Sequence, residues 1–159
     1  MLTSMYNHRY MSRITILIAV LFCSLTSFAQ IMRPVHWSWT AQKVKDDQYK
    51  LTFTATIDKP YHTYGMYIEE GGPVRTSITY DKNAAVQIVG KATESGPKSK
   101  EMVDDVFKVK VKLFEEKAIF EQIVKAKKGT KISGVIESMA CDDKSCLAPE
   151  RKKFEVVLP

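Results

Sequence analysis

Cys141 and Cys146 are the residues of this chain whose type and spacing point most directly to chemistry. They bracket Asp142-Asp143-Lys144-Ser145, and Leu147-Ala148-Pro149-Glu150 follows. Two sulfurs so close in sequence can form, break and exchange a disulfide, a two-electron reaction carried by thiolate attack. The flanking sequence is β-patterned up to about Ala140 and again from about Lys152, which places the pair on a hairpin. A short polar turn brings strand ends within the roughly 4.4–6.8 Å Cα separation that a disulfide needs, so the two can pair without moving the backbone.

The competing reading is a structural staple, the usual role of a cysteine pair in a small exported domain. Two features weigh against it. A cross-link that restricts the unfolded chain gains more from a long loop, and this loop is about as short as a hairpin allows. The turn between the cysteines is also hydrophilic, which predicts accessible sulfurs, and exposed disulfides are the exchangeable ones.

The compartment is written in the first thirty residues. Met1 to Arg13 carries Arg9 and Arg13 without an acid, Ile14 to Leu25 is almost continuously apolar, and Ser27-Phe28-Ala29 precedes Gln30. That layout predicts a cleaved secretory signal peptide over residues 1–29 and a mature domain over 30–159. A membrane anchor is the alternative, but the apolar run falls short of the roughly 20 residues that span a bilayer. Met11 would give a tidier leader, so a downstream start is expected. The third cysteine, Cys23, leaves with the leader. Cleavage lowers the formal charge from +6 to +4, leaving 22 basic against 18 acidic residues. The lysines are spread along β-patterned segments, as on a solvated strand face, and no nucleic-acid partner is expected. An oxidising destination is what allows Cys141 and Cys146 to pair.

What positions the cysteines is a run of short strands. Leu51, Phe53, Ala55 and Ile57 alternate with threonines, and Phe107, Val109, Val111 and Leu113 alternate with Lys108, Lys110 and Lys112. Both segments predict half-buried strands. Further strands are expected over Val35 to Val44, Tyr61 to Met66, Thr76 to Tyr80, Val86 to Lys91, Ile119 to Lys125, Ile132 to Ala140 and Lys152 to Leu158. Turn signals such as Asp46-Asp47, Gly71-Gly72-Pro73 and Lys128-Gly129 separate them. One all-β domain, an antiparallel sandwich, follows. Thr93 to Asp105 lacks a strand pattern and reads as a long surface loop. Parity in the strand from Ile132 puts Cys141 on the face away from the core.

These motifs together resemble a known family, the N-terminal periplasmic domain of the thiol-disulfide interchange protein DsbD, in the stand-alone form of Bacteroidetes-like bacteria. The resemblance rests on Cys141 to Glu150, Tyr61-His62-Thr63-Tyr64, Gly72-Pro73 followed by Thr76-Ser77, Val89-Gly90-Lys91, and Asp104-Asp105-Val106-Phe107. It implies an immunoglobulin-like sandwich that relays electrons from a membrane reductant to periplasmic thioredoxin-fold proteins. Cys146 would form the mixed disulfide with the partner and Cys141 would resolve it. A cap loop would shield the pair with Phe107, and Tyr64 with His62 would line the other side. Such a cover limits wasteful oxidation of the thiols between encounters. Asp142 and Asp143, joined by Asp104 or Asp105 if the loop folds over, would disfavour the thiolate, while Lys144 acts in the opposite sense. The chain stops at Pro159, so electrons are expected from a separate membrane thiol-electron transporter. The turn is one residue shorter than in the best-known members, and Ala148 stands where proline is expected. The expectation is therefore a periplasmic, monomeric thiol-disulfide oxidoreductase that uses no cofactor. Cytochrome maturation, disulfide isomerisation and peroxide defence all stay open as its pathway.

Two other readings remain. One is an exported β-sandwich binding module whose disulfide rigidifies a presented hairpin. The other is a copper carrier using Cys141, Cys146, Met139 and His62, because soft sulfur ligands select Cu(I); the chain has no tight Met/His cluster beside the cysteines, and no metal site is expected.

Overall fold

The computed structural model describes residues 32–105 and 107–159. The expected leader, residues 1–29, and Cys23 lie outside the described residues. Eleven strands follow in the described chain: β1 (Val35–Lys45), β2 (Gln48–Ile57), β3 (His62–Tyr64), β4 (Ser77–Tyr80), β5 (Gln87–Ser95), β6 (Lys98–Val103), β7 (Lys110–Glu115), β8 (Lys117–Lys125), β9 (Lys131–Ser138), β10 (Ala140–Cys141) and β11 (Glu150–Val157).

One layer is the antiparallel sheet β1-β2-β8-β5. Its centre is set by the alternation in β2, where Tyr49, Leu51, Phe53, Ala55 and Ile57 are buried and the residues between them are not. Phe53 pairs directly with Phe120 of β8. The second layer holds two smaller sheets, β11-β9-β4 and β10-β3-β7-β6. The ring of Phe53 meets Phe154 of β11 edge-on at 4.8 Å, and Phe120 meets Phe114 of β7 at 5.9 Å, so both small sheets close on the same core. Burial of each such ring contributes roughly 1.5–3 kcal/mol. The result is the expected all-β, immunoglobulin-like antiparallel sandwich. Gly134 lets β9 pass close to its neighbours; a Cβ there would collide with the Thr79 carbonyl oxygen and stand 2.8 Å from the Phe154 ring.

The second layer divides at Met139. β9 pairs β11 and β4, and then the chain steps across so that β10 pairs β3, with Ala140 opposite Thr63 and Cys141 opposite His62. The buried Thr63 hydroxyl donates to the Met139 carbonyl at 2.9 Å, satisfying the backbone where the ladder breaks. This step corrects the expected orientation of Cys141. Parity holds along β9 through Ser138, but the change of sheet restarts it, and Cys141 is 1% exposed rather than outward. It lies in a small second core with Tyr64, Val111, Leu113 and Met139.

The segment Thr93 to Asp105 is also corrected. It contains the end of β5 and all of β6, which pairs with β7 from Lys98↔Glu115 to Val103↔Lys110. Every residue of β6 is exposed, so this edge strand has no buried face and leaves no alternation in the sequence. β7 itself starts at Lys110 rather than Phe107, and it is covered on both faces. Val111 and Leu113 face the second core, while Phe114 faces the first.

Candidate functional site

Within the loop from β9 to β11, the chain folds into a narrow hairpin of its own. Leu147 N–H donates to the Ala140 carbonyl at 2.8 Å and Asp142 N–H to the Ser145 carbonyl at 2.9 Å, with Cys141 and Cys146 as the bridge pair between them. The two cysteines form a disulfide, with Cα atoms 4.0 Å apart. Asp142 builds the turn: its Oδ1 accepts from the backbone N–H groups of Lys144 at 2.8 Å and Ser145 at 2.7 Å. These bonds favour the ionised carboxylate and hold Asp142 below the usual carboxylate range. The sulfurs were expected to be accessible together. Instead Cys146 is exposed while Cys141 is covered.

Cys141 is covered by the second core, and the turn between β6 and β7 borders the same cleft. Asp104 N–H donates to the Val109 carbonyl at 2.9 Å, Lys108 N–H donates back to the Asp104 carbonyl at 2.8 Å, and Lys108 takes the left-handed conformation at φ 60°. Asp104 Oδ1 also accepts from Phe107 N–H at 3.0 Å, which fixes where the Phe107 ring starts. That ring is 38% exposed at the edge of the cleft.

From below, β3 supplies His62 and Tyr64, two residues apart and so on one face. Their rings meet edge-on at 5.3 Å, with His62 Nε2 3.3 Å from the Tyr64 hydroxyl. Tyr64 in turn donates to Asp104 Oδ2 at 3.3 Å. Burial first, and then the Asp104 carboxylate, push the Tyr64 phenol up to about 12. Burial lowers His62 from its ordinary 6.5, against the pull of Glu115, Asp143, Asp104 and Asp142.

Cys141, Cys146, Phe107, Tyr64, His62, Asp142, Asp143, Asp104 and Asp105 therefore all border one open cleft of about 650 Å3. Lys100 and Met102 of β6 and Leu113 and Glu115 of β7 border it too, and sequence reasoning missed them. Lys100 Nζ lies 2.6 Å from Glu115, and Glu115 stands opposite His62 in the β3–β7 ladder. Only the strand register reveals that placement. Among the described residues, no group of three His, Cys, Asp or Glu side chains is arranged to hold a metal ion.

A β-sandwich that carries a cysteine pair at disulfide distance, one member open and one covered, is an arrangement suited to thiol-disulfide exchange. Residues 31–158 match the family described as thiol:disulfide interchange protein DsbD, N-terminal, and the chain belongs to that family. Among solved structures, the N-terminal periplasmic domain of ScsB from Proteus mirabilis is similar at a TM-score of 0.59 and 17% identity, over 80% of this chain and 47% of that one. The chain thus spans about half the length of that structure. The reduced DsbD N-terminal domain of Neisseria meningitidis gives a TM-score of 0.49 at 17% identity, over 75% of this chain and 83% of that one. A complex between the DsbD N-terminal and PilB N-terminal domains of the same organism gives 0.46 at 17% identity, over 75% and 80%. No curated protein sequence matches.

Proposed function

We propose that this domain is an exported electron relay, which takes reducing equivalents from a separate membrane thiol-electron transporter and passes them to thioredoxin-fold partners in the periplasm. The observation that carries the reading is the unequal exposure of the two cysteines. A partner disulfide reaches only the exposed residue, so Cys146 attacks it as the thiolate and forms the mixed disulfide. Cys141, covered but 4.0 Å away by Cα, then attacks the Cys146 sulfur and releases the partner as a dithiol. Two electrons have moved and the domain is left oxidised until the membrane donor reduces it. Between encounters the Phe107 turn and the Tyr64–His62 pair shield the thiols, and Asp142, Asp143, Asp104 and Asp105 hold down thiolate formation. The signal peptide over residues 1–29 would deliver the domain to this compartment.

Trapping in cells tests the relay. With Cys141→Ser the resolving thiol is gone, so mixed disulfides through Cys146 should accumulate and should contain thioredoxin-fold proteins. Absence of any trapped species under reducing flux, with partner binding unaffected when both cysteines are replaced by serine, would leave a binding module with a structural disulfide.

A further inference from the structure

We propose that His62 is the proton acceptor for Cys141: its imidazole takes the Cys141 thiol proton as that sulfur attacks the Cys146–partner disulfide, and returns it when the Cys141–Cys146 bond is reopened. The inference deepens the exchange reading above and rests on it.

Position comes first. His62 and Cys141 are direct partners in the β3–β10 ladder. Directly opposed residues of an antiparallel pair project from the same face with Cβ atoms roughly 4.5–5.5 Å apart, and both of these side chains border the cleft. Need comes second. Cys141 is 1% exposed among Tyr64, Val111, Leu113 and Met139, and apolar burial raises a thiol's pKa. The sulfur that must attack is therefore the one least able to ionise unaided, and an adjacent base removes that obstacle.

The hydrogen bonds also select the tautomer. Tyr64 has one hydroxyl hydrogen and gives it to Asp104 Oδ2, so its oxygen accepts from His62 Nε2. Nε2 then carries the imidazole proton, and Nδ1, the nitrogen nearer the backbone, is left with a free lone pair. Burial keeps the ring neutral at pH 7, ready to accept. Charged groups face it from every side: Glu115 from β7, Asp104 from the cap turn, and Asp142 and Asp143 from the cysteine turn. All four stabilise the imidazolium once it forms. Lys100 is paired with Glu115, and Lys144 lies across the cleft. The rival bases are poorly matched to a thiol. Carboxylates ordinarily titrate near ~4, and the Tyr64 phenol stays protonated.

The step balances. The Cys141 S–H proton goes to Nδ1, the Cys141–Cys146 bond forms, the Cys146–partner bond breaks, and the partner sulfur leaves with the electron pair. The domain is oxidised and the partner disulfide reduced.

The reduced protein mixed with one equivalent of 5,5′-dithiobis(2-nitrobenzoate) separates the two steps, because attack by Cys146 consumes the reagent and releases the first coloured thiolate, and resolution by Cys141 releases the second. In the parent, the resolution rate should level off above an inflection below pH 6.5. A rate still rising tenfold per pH unit through pH 8 would mean that Cys141 ionises without help, and would overturn the proposal. His62→Phe should slow resolution roughly 10- to 100-fold at pH 7, toward the lower end of general-base effects, while the first step changes less than about twofold. His62→Ala should be slowed similarly and be rescued by added imidazole in proportion to its free base. Equal slowing of both steps, or no rescue, would mean that His62 only maintains the shape of the cleft, and would overturn the proposal. No second equivalent from the parent would instead remove the exchange reading, and the proton acceptor with it.

Discussion

Asp104 holds Phe107 and Tyr64 at once: Oδ1 accepts the Phe107 backbone N–H at 3.0 Å and Oδ2 accepts the Tyr64 hydroxyl at 3.3 Å. One carboxylate therefore ties the β6–β7 turn to β3, two elements that border the cysteine cleft. Neither bond involves a sulfur, yet both join residues that border that cleft.

Phe107→Ala should remove the proposed shield at little structural cost. The ring is 38% exposed and away from the main core, so stability should change by no more than about 1 kcal/mol, as for other substitutions outside a core. Phe53→Ala, by contrast, should cost about 3–5 kcal/mol, because that ring is fully buried against Phe154 and Tyr80. Oxidation of the reduced Phe107→Ala protein by glutathione disulfide should run several-fold faster than in the parent. An unchanged oxidation rate would show that the ring shields nothing.

Alkylation of the reduced protein should be unequal. Cys146 is exposed and Cys141 covered, so iodoacetamide should modify Cys146 at least about tenfold faster, read by mass spectrometry of time points. The carboxylates around the cleft should keep even the faster thiol at or above its ordinary pKa of roughly 8.5. Asp143→Asn removes one of those charges without touching the Asp142 turn, and should speed alkylation at pH 7. Strongly acidic thiol behaviour in the parent would contradict this electrostatic account.

The strands with one buried face were legible in sequence, since β2 and β9 write their alternation directly. Two of the misreadings came from places where tertiary structure cancels that signal. β6 is exposed on every residue and holds its place by pairing with β7, a contact that leaves no periodic trace. Cys141 lies just past Met139, where the chain changes sheets and parity restarts. The cysteine pair, the aromatic segment at Tyr61 to Tyr64 and the Asp104–Phe107 turn were each visible as motifs. Their convergence on one cleft, with Glu115 opposite His62, needed the register of β3 against β7 and β10.

Stability should fall on mild acidification because of His62. Its folded pKa lies below the ordinary 6.5, so as pH drops through 6.5 the unfolded chain takes up a proton that the native state resists. The unfolded state then binds more protons, and stability decreases with falling pH. Glu115, Glu116 and Asp142 have lowered pKa values and act in the same direction, but only as pH falls toward and below their ordinary 4.5 or 3.8. The window from pH 6.5 to 5 should therefore belong largely to His62. Urea midpoints measured across it should decline in the parent and stay nearly flat in His62→Phe. A decline of the same size in both proteins would assign it elsewhere.

Reduction of Cys141–Cys146 should cost little stability. The bond closes a loop spanning a sequence separation of 5, for which the chain-entropy relation gives about 2 kcal/mol, against about 4.7 for a loop of a hundred residues. Asp142 retains its bonds to the N–H groups of Lys144 and Ser145, and the Ala140–Leu147 and β3–β10 backbone bonds do not involve sulfur. The hairpin should thus survive opening of the bond. Urea unfolding with and without dithiothreitol should show a modest shift in midpoint at constant slope, and amide exchange in β3 and β10 should stay slow in the reduced protein. The proposed relay, which would lose and regain this disulfide in every cycle, needs that tolerance. Collapse of the β3–β10 ladder on reduction would instead mark the disulfide as a staple, and a relay built on it would come apart at each turnover.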